Sequence, residues 1–136
     1  MTESKEIVVD TDVISYILKG DTRAIRYREL ARGKQLIISF MSVAELEFWG
    51  LSRNWGTKKI ETLNDLLRHF IVYPSDRSLC LRWAKVMNQG RKTGKPVHVQ
   101  DAWIAATALE IGTPLLTHNT KDFLNIPSLE VWTAKS

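Results

Sequence analysis

Five short apolar runs recur along this chain with helical patterns between them, and that alternation constrains the fold more than any other feature. The runs are Ile7-Val8-Val9, Leu36-Ile37-Ile38, Ile71-Val72-Tyr73, Leu115-Leu116-Thr117 and Leu129-Glu130-Val131-Trp132. Each has the length and β-rich composition of a buried strand. Between them, Ile60, Leu63, Leu67 and Phe70 recur at helical spacing, as do Leu79, Trp83, Val86 and Met87. Ala102 to Ile111 is apolar almost all round, which predicts a central helix buried on most sides. Gly112 is placed to end it, and Pro114 prevents its continuation. Strands alternating with helices predict an α/β fold: a mainly parallel central sheet flanked by helices. At 136 residues, with no internal repeat or long linker, residues 1–136 are expected to form one domain.

Composition narrows the class. A hydrophobic fraction of 44% and a charged fraction of 25% are those of an ordinary globular protein. No apolar run approaches the roughly 20 residues that cross a bilayer, so no membrane role is expected. Met1 to Glu6 is too polar for the core of a secretory signal. Cys80 is the only cysteine, which excludes an internal disulfide and a cysteine-built zinc site. A cytoplasmic location is the expectation. The formal charge of +4 is a modest basic excess, compatible with polyanion binding but shared by many proteins that bind none.

In a parallel sheet, ligands gather beyond the carboxyl ends of the strands, and four separated acidic segments fall at predicted strand ends or helix starts. Asp10 and Asp12 follow the first strand, and Glu45 lies shortly after the second, near a helix start. Asp101 opens the buried helix, and Asp122 follows the fourth strand. Each also has a structural explanation. Asp10 can cap a helix; Ser42 with Glu45 has capping-box spacing, and Asn119 with Asp122 resembles the same device. Asp101 can oppose its helix dipole. Their combination points further. Gathered carboxylates repel one another unless they hold protons or a cation. A hard divalent ion removes the conflict, favours oxygen ligands and keeps waters of its own. It also makes a water easier to deprotonate and offsets charge building on a phosphate, the needs of phosphodiester hydrolysis.

Four segments carry a family resemblance: Asp10-Thr11-Asp12-Val13, Ser42-Val43-Ala44-Glu45-Leu46, Asp101 through Ala108 (Asp-Ala-Trp-Ile-Ala-Ala-Thr-Ala), and Thr117-His118-Asn119-Thr120-Lys121-Asp122-Phe123. In this order and spacing, across nearly the whole chain, the sequence resembles PIN-domain ribonucleases, and among them the VapC-type toxins of bacterial toxin–antitoxin pairs. The resemblance implies a three-layer sandwich and an endoribonuclease dependent on Mg²⁺ or Mn²⁺. It places Asp10, Glu45, Asp101 and Asp122 in the catalytic, metal-binding quartet, with Asp10 and Asp101 as foremost ligands. Thr11, Thr117 and Asn119 fall at supporting polar positions, while Asp12 reads first as a cap. It also implies an RNA substrate, a small antitoxin partner and a homodimer.

Other residues bear on substrate and partner. Arg91, Lys92 and Lys95 form a basic segment before Asp101, and Lys121 adjoins Asp122. These can hold RNA phosphates or form a solvated loop. His98 and His118 are near the same acids, as proton shuttles or as loop side chains. Of five tryptophans, Trp83 and Trp103 fall in apolar helices and are expected in the core. Trp49 and Trp55 flank Ser52-Arg53-Asn54, where an apolar groove could take a partner helix. Two rival readings start from the same residues. Asp10-x-Asp12 after a first strand also resembles haloacid-dehalogenase-like phosphatases, which leaves Glu45 and Asp101 without a role. A PIN-like binding module without catalysis is the other; its signature, a missing acid, is absent.

Overall fold

The computed structural model describes residues 4–135, so Met1–Glu3 of the polar start and Ser136 lie outside the described residues. All five apolar runs contain strands: β1 (Glu6–Val9), β2 (Gln35–Ser39), β3 (Phe70–Tyr73), β4 (Leu115–Leu116) and β5 (Val131–Trp132). Six α-helices join them: α1 (Thr11–Lys19), α2 (Ala24–Leu30), α3 (Phe40–Ser52), α4 (Thr57–Leu67), α5 (Arg77–Lys92) and α6 (Val99–Ile111). The sheet has the order β3-β2-β1-β4-β5, and every pairing is parallel.

Side-chain alternation along the strands builds a core on each face. Ile7 and Val9 of β1, Ile38 of β2 and Leu116 of β4 join Val13, Ile14, Tyr27, Leu46 and Leu63 from α1, α2, α3 and α4. Their neighbours Val8, Ile37 and Leu115 join Val86 of α5 and Ala102, Ala105 and Ala108 of α6 on the other face. The result is helices, sheet, helices. Ile7, Val8, Ile38 and Leu115 are fully buried, and a buried side chain of this size contributes about 1.5–3 kcal/mol of transfer free energy. That burial fixes the strand ends on which the polar residues stand.

Details depart from the sequence expectations for physical reasons. Phe70 leaves the helical pattern and begins β3, where pairing opposite Leu36 and burial outweigh continuation of α4. The fourth and fifth runs form two-residue strands, although Thr117 N–H still donates to the Trp132 carbonyl at 3.0 Å. Helix α2 was not expected; its seven residues bury only Ala24 and Tyr27. Helix α6 ends as predicted, at Gly112 in the left-handed region with φ of 77°.

The chain runs outward from β1 through β2 to β3, then returns to place β4 on the other side of β1. Here the winding reverses, and the carboxyl ends of β1 and β4 diverge into the crevice where open parallel sheets bind ligands. Asp10 stands at one lip and Thr117 at the other.

Candidate active site

Asp10 caps α1 and is clamped across that crevice. Its Oδ1 accepts from the Thr11 N–H at 2.7 Å, and its Oδ2 accepts from the Thr117 hydroxyl at 2.7 Å. Its own N–H donates to the Leu116 carbonyl at 2.9 Å. The residue is 6% exposed. Burial pushes its carboxyl well above the usual range, the Asp12 charge pushes the same way, and the Thr117 hydrogen bond opposes both.

Asp12 is more than a cap. One oxygen accepts from Val13 N–H at 2.7 Å, and the other reaches across the crevice to accept from His118 N–H at 3.1 Å. Burial raises its pKa too. His118 itself has its ring turned to other work: Nδ1 lies 2.6 Å from the Tyr27 hydroxyl, and the ring packs edge-on against Tyr16 and Tyr27.

Glu45 reaches the site from α3, but the capping-box expectation fails. Ser39, the last residue of β2, caps the helix by accepting from Met41 N–H at 3.1 Å. Glu45 therefore lies in the second turn, and Ser42 is buried inside the helix. The Thr11 hydroxyl is hydrogen-bonded to Ser42 Oγ at 2.8 Å and to Glu45 Oε1 at 2.9 Å. Glu45 is also raised, first by burial, against the pull of the Thr11 hydroxyl.

Asp101 is the third residue of α6 and is half-buried. Its pKa is pushed up to about 6, foremost by burial and then by the charge of Asp122; His98 eases it, while Glu45 and Asp12 add to it. Asp122 ends a single 3₁₀ turn, Thr120–Asp122, whose N-terminal N–H groups are not capped by the Asn119 side chain. Asn119 contributes through its backbone instead, its N–H donating to Thr117 Oγ1 at 3.1 Å. The expected Asn119–Asp122 cap is therefore not formed.

The five acids thus share one electrostatic neighbourhood at the crevice, yet they are not a closed cage. Among the described residues, no three Asp, Glu, His or Cys side chains converge closely enough to hold an ion by themselves. The donor set nevertheless fits a hard divalent cation. It is built of carboxylate oxygens, four of them with raised pKa values, and such an ion needs only one or two carboxylates when water completes its shell. Asp12, Ser42 and the His118 N–H are the contributions that sequence reasoning missed; their partners lie 31 to 106 residues away.

The tryptophans divide differently from expectation. Trp83 and Trp103 stack on each other at 4.9 Å, with Phe40 edge-on to Trp103, but remain only partly buried. Trp49 and Trp55 pack partly against the core, with Arg53 and Lys59 over their rings at 4.7 and 4.2 Å.

A family model described as the PIN domain matches residues 7–129, and the chain belongs to that family. Within it, the similarity runs to the VapC ribonucleases. Ribonuclease VapC of Rickettsia bellii is 47% identical over 134 residues, spanning 93% of this chain and 95% of the relative. Ribonuclease VapC1 of Haemophilus influenzae (strain R2866) is 32% identical over 128 residues, spanning 90% and 93%. The solved structure of VapBC-1 from nontypeable Haemophilus influenzae superposes with a TM-score of 0.80 at 29% identity, covering 93% of this chain and 96% of that one. This membership removes the phosphatase reading.

Proposed function

We propose that this VapC-type ribonuclease cuts RNA with Mg²⁺ or Mn²⁺ held at the β1–β4 crevice, as the toxin of a toxin–antitoxin pair. Asp10 and Asp101 are the direct ligands, with Glu45 and Asp122 completing the site. The observation that carries the reading is the buried Asp10 carboxylate, fixed by Thr11 and Thr117 amid acids whose protons are held unusually tightly. When bound, the cation supplies Lewis acidity, lowering the pKa of water and offsetting charge on phosphoryl oxygens. The chain's own residues supply orientation. Thr117 and the Thr11 N–H each occupy one lone pair of Asp10 and leave its remaining lone pairs free for a ligand. Thr11 holds Glu45 toward the same point, and Asp12 ties the loop after β4 to α1.

The VapBC-1 likeness supports a small antitoxin as partner. A cavity of about 340 Å³ between α1, α2 and α4 offers an apolar seat for one of its segments, with Val13, Ile17, Tyr27, Leu66 and Phe70 among its walls. Trp49, Trp55 and Ser52–Asn54, the groove expected from the tryptophans, are not among its walls. A homodimer is part of the same proposal. The test is cleavage of RNA by the purified, antitoxin-free protein after chelation and after restoring Mg²⁺ or Mn²⁺. Cleavage only with the metal restored supports the reading; cleavage in the presence of chelator overturns it.

A further inference from the structure

We propose that the pocket walled by Lys95, His98, Lys121 and Asn125, beside Asp122, holds a backbone phosphate of the RNA adjacent to the phosphate that is cut. The inference rests on the ribonuclease reading and assigns substrate-positioning residues to it. The pocket has a volume of about 120 Å³, enough for a phosphate group, and Asp122 is its one acidic wall. Asp122 is shared with the proposed metal site, and His98 is the N-cap of α6, the helix that carries Asp101, so the pocket adjoins the acid crevice. A polyanion approaching five carboxylates is repelled unless cations stand beside them, and phosphate contacts are what set register along a nucleic acid.

Lys95 and Lys121 are suited to that work because no acid claims them. Among the described residues the ion pairs are Arg23–Asp21, Arg68–Asp65 and Arg82–Glu110. The loop carrying Lys95 is also fastened rather than free. Lys95 N–H donates to the Gly90 carbonyl at 2.9 Å, and Thr93 N–H donates to the Gln89 carbonyl at 3.1 Å. Gly90 permits this approach: a Cβ there would stand 2.9 Å from the Lys95 carbonyl oxygen and 3.4 Å from Pro96 Cα. The basic segment of the sequence is thereby split. Arg91 bonds Asn88 on α5 and lines a separate apolar hollow beside Trp83, while Lys95 is delivered to the acid side.

The experiment compares wild type with Lys95→Gln, Lys121→Gln, Gly90→Ala and the control Lys92→Gln, which alters an exposed residue outside the pocket. Cleavage of a short fluorescent single-stranded RNA is followed across a salt series. Its binding is measured separately in the Asp101→Asn background. Each pocket lysine variant is expected to raise KM and weaken RNA binding about tenfold, as for loss of one charge-assisted contact, with kcat little changed. The salt dependence of log affinity should fall by about 0.7 per lysine, the single-strand value for one phosphate. Gly90→Ala should raise KM with the salt slope of the pocket only partly lost, because the charge remains but its seat moves. If the wild type cleaves RNA while Lys95→Gln and Lys121→Gln match Lys92→Gln in KM, binding and salt slope, the pocket proposal is overturned and the nuclease reading stands. If no RNA is cut but the lysine variants still lose binding, the nuclease reading fails, and with it the placement of the pocket beside a scissile phosphate, while its role as an RNA phosphate site stands.

Discussion

The hydroxyl of Thr117 decides where Asp10 points. It occupies Oδ2 at 2.7 Å and is the largest influence lowering the proton affinity of that carboxyl. Thr117→Val keeps the shape and removes the bond, so it should weaken Mn²⁺ binding about 10–100-fold, as loss of a ligand-orienting partner does. Calorimetric titration of Mn²⁺ into the two proteins checks this; equal affinities would mean that Asp10 is not a ligand, or that its orientation is set by Thr11 alone. At this scale the sequence pointed to Asp10, Glu45, Asp101 and Asp122 as candidates, because each stands at a strand end or in a helix whose periodicity is readable. It did not reveal Asp12 or Ser42. Asp12 sits two residues after a genuine cap, and its second partner, His118 N–H, is 106 residues away. Ser42 looked like a cap because its spacing to Glu45 fits one, whereas burial against Thr11 gives it a different role.

Helix α3 shows how a local pattern misleads by three residues. Ser39 ends β2 and caps α3, so the turn from strand to helix takes no loop at all. Ser39→Ala should lower stability by about 1 kcal/mol, the usual cost of a lost N-cap, while cleavage persists. Ser42→Ala should instead disturb the Thr11–Glu45 link and reduce cleavage. Urea unfolding paired with an RNA cleavage assay separates the two, and loss of activity confined to Ser39→Ala would reverse the assignment. The strands were readable because burial on both faces of a parallel sheet demands unbroken apolar runs. Helix α2 was not readable, since only Ala24 and Tyr27 of its seven residues turn inward and give no periodic signal.

For the whole molecule, gathering the acids at one crevice sets a stability cost that a cation relieves. Asp101 titrates from 3.8 unperturbed to about 6 when folded. Below about pH 4 it is protonated in both states and makes no difference; between about 4 and about 6 the unfolded chain ionises first. Raising pH through that window therefore favours unfolding of the metal-free protein, and Asp10, raised by deeper burial, adds to the same effect. Relative to Asp101→Asn, the metal-free wild type should lose melting temperature as pH rises through this range, and Mg²⁺ should restore more of it at neutral pH than at about pH 4. A difference in melting temperature independent of both pH and Mg²⁺ would contradict this. The parallel sheet, its flanking helices and the reversal at β1 follow from the order of apolar runs. What the order does not show is that the acids approach without closing into a cage, because that depends on side-chain placement across the crevice. The most direct test of the central claim is the rate of RNA cleavage by Asp101→Asn beside wild type, at saturating Mg²⁺ or Mn²⁺, with folding verified by circular dichroism. The account predicts a folded variant with cleavage reduced by at least about 100-fold, as removal of a transition-state charge stabiliser typically brings. A folded variant that cuts at the wild-type rate would contradict it.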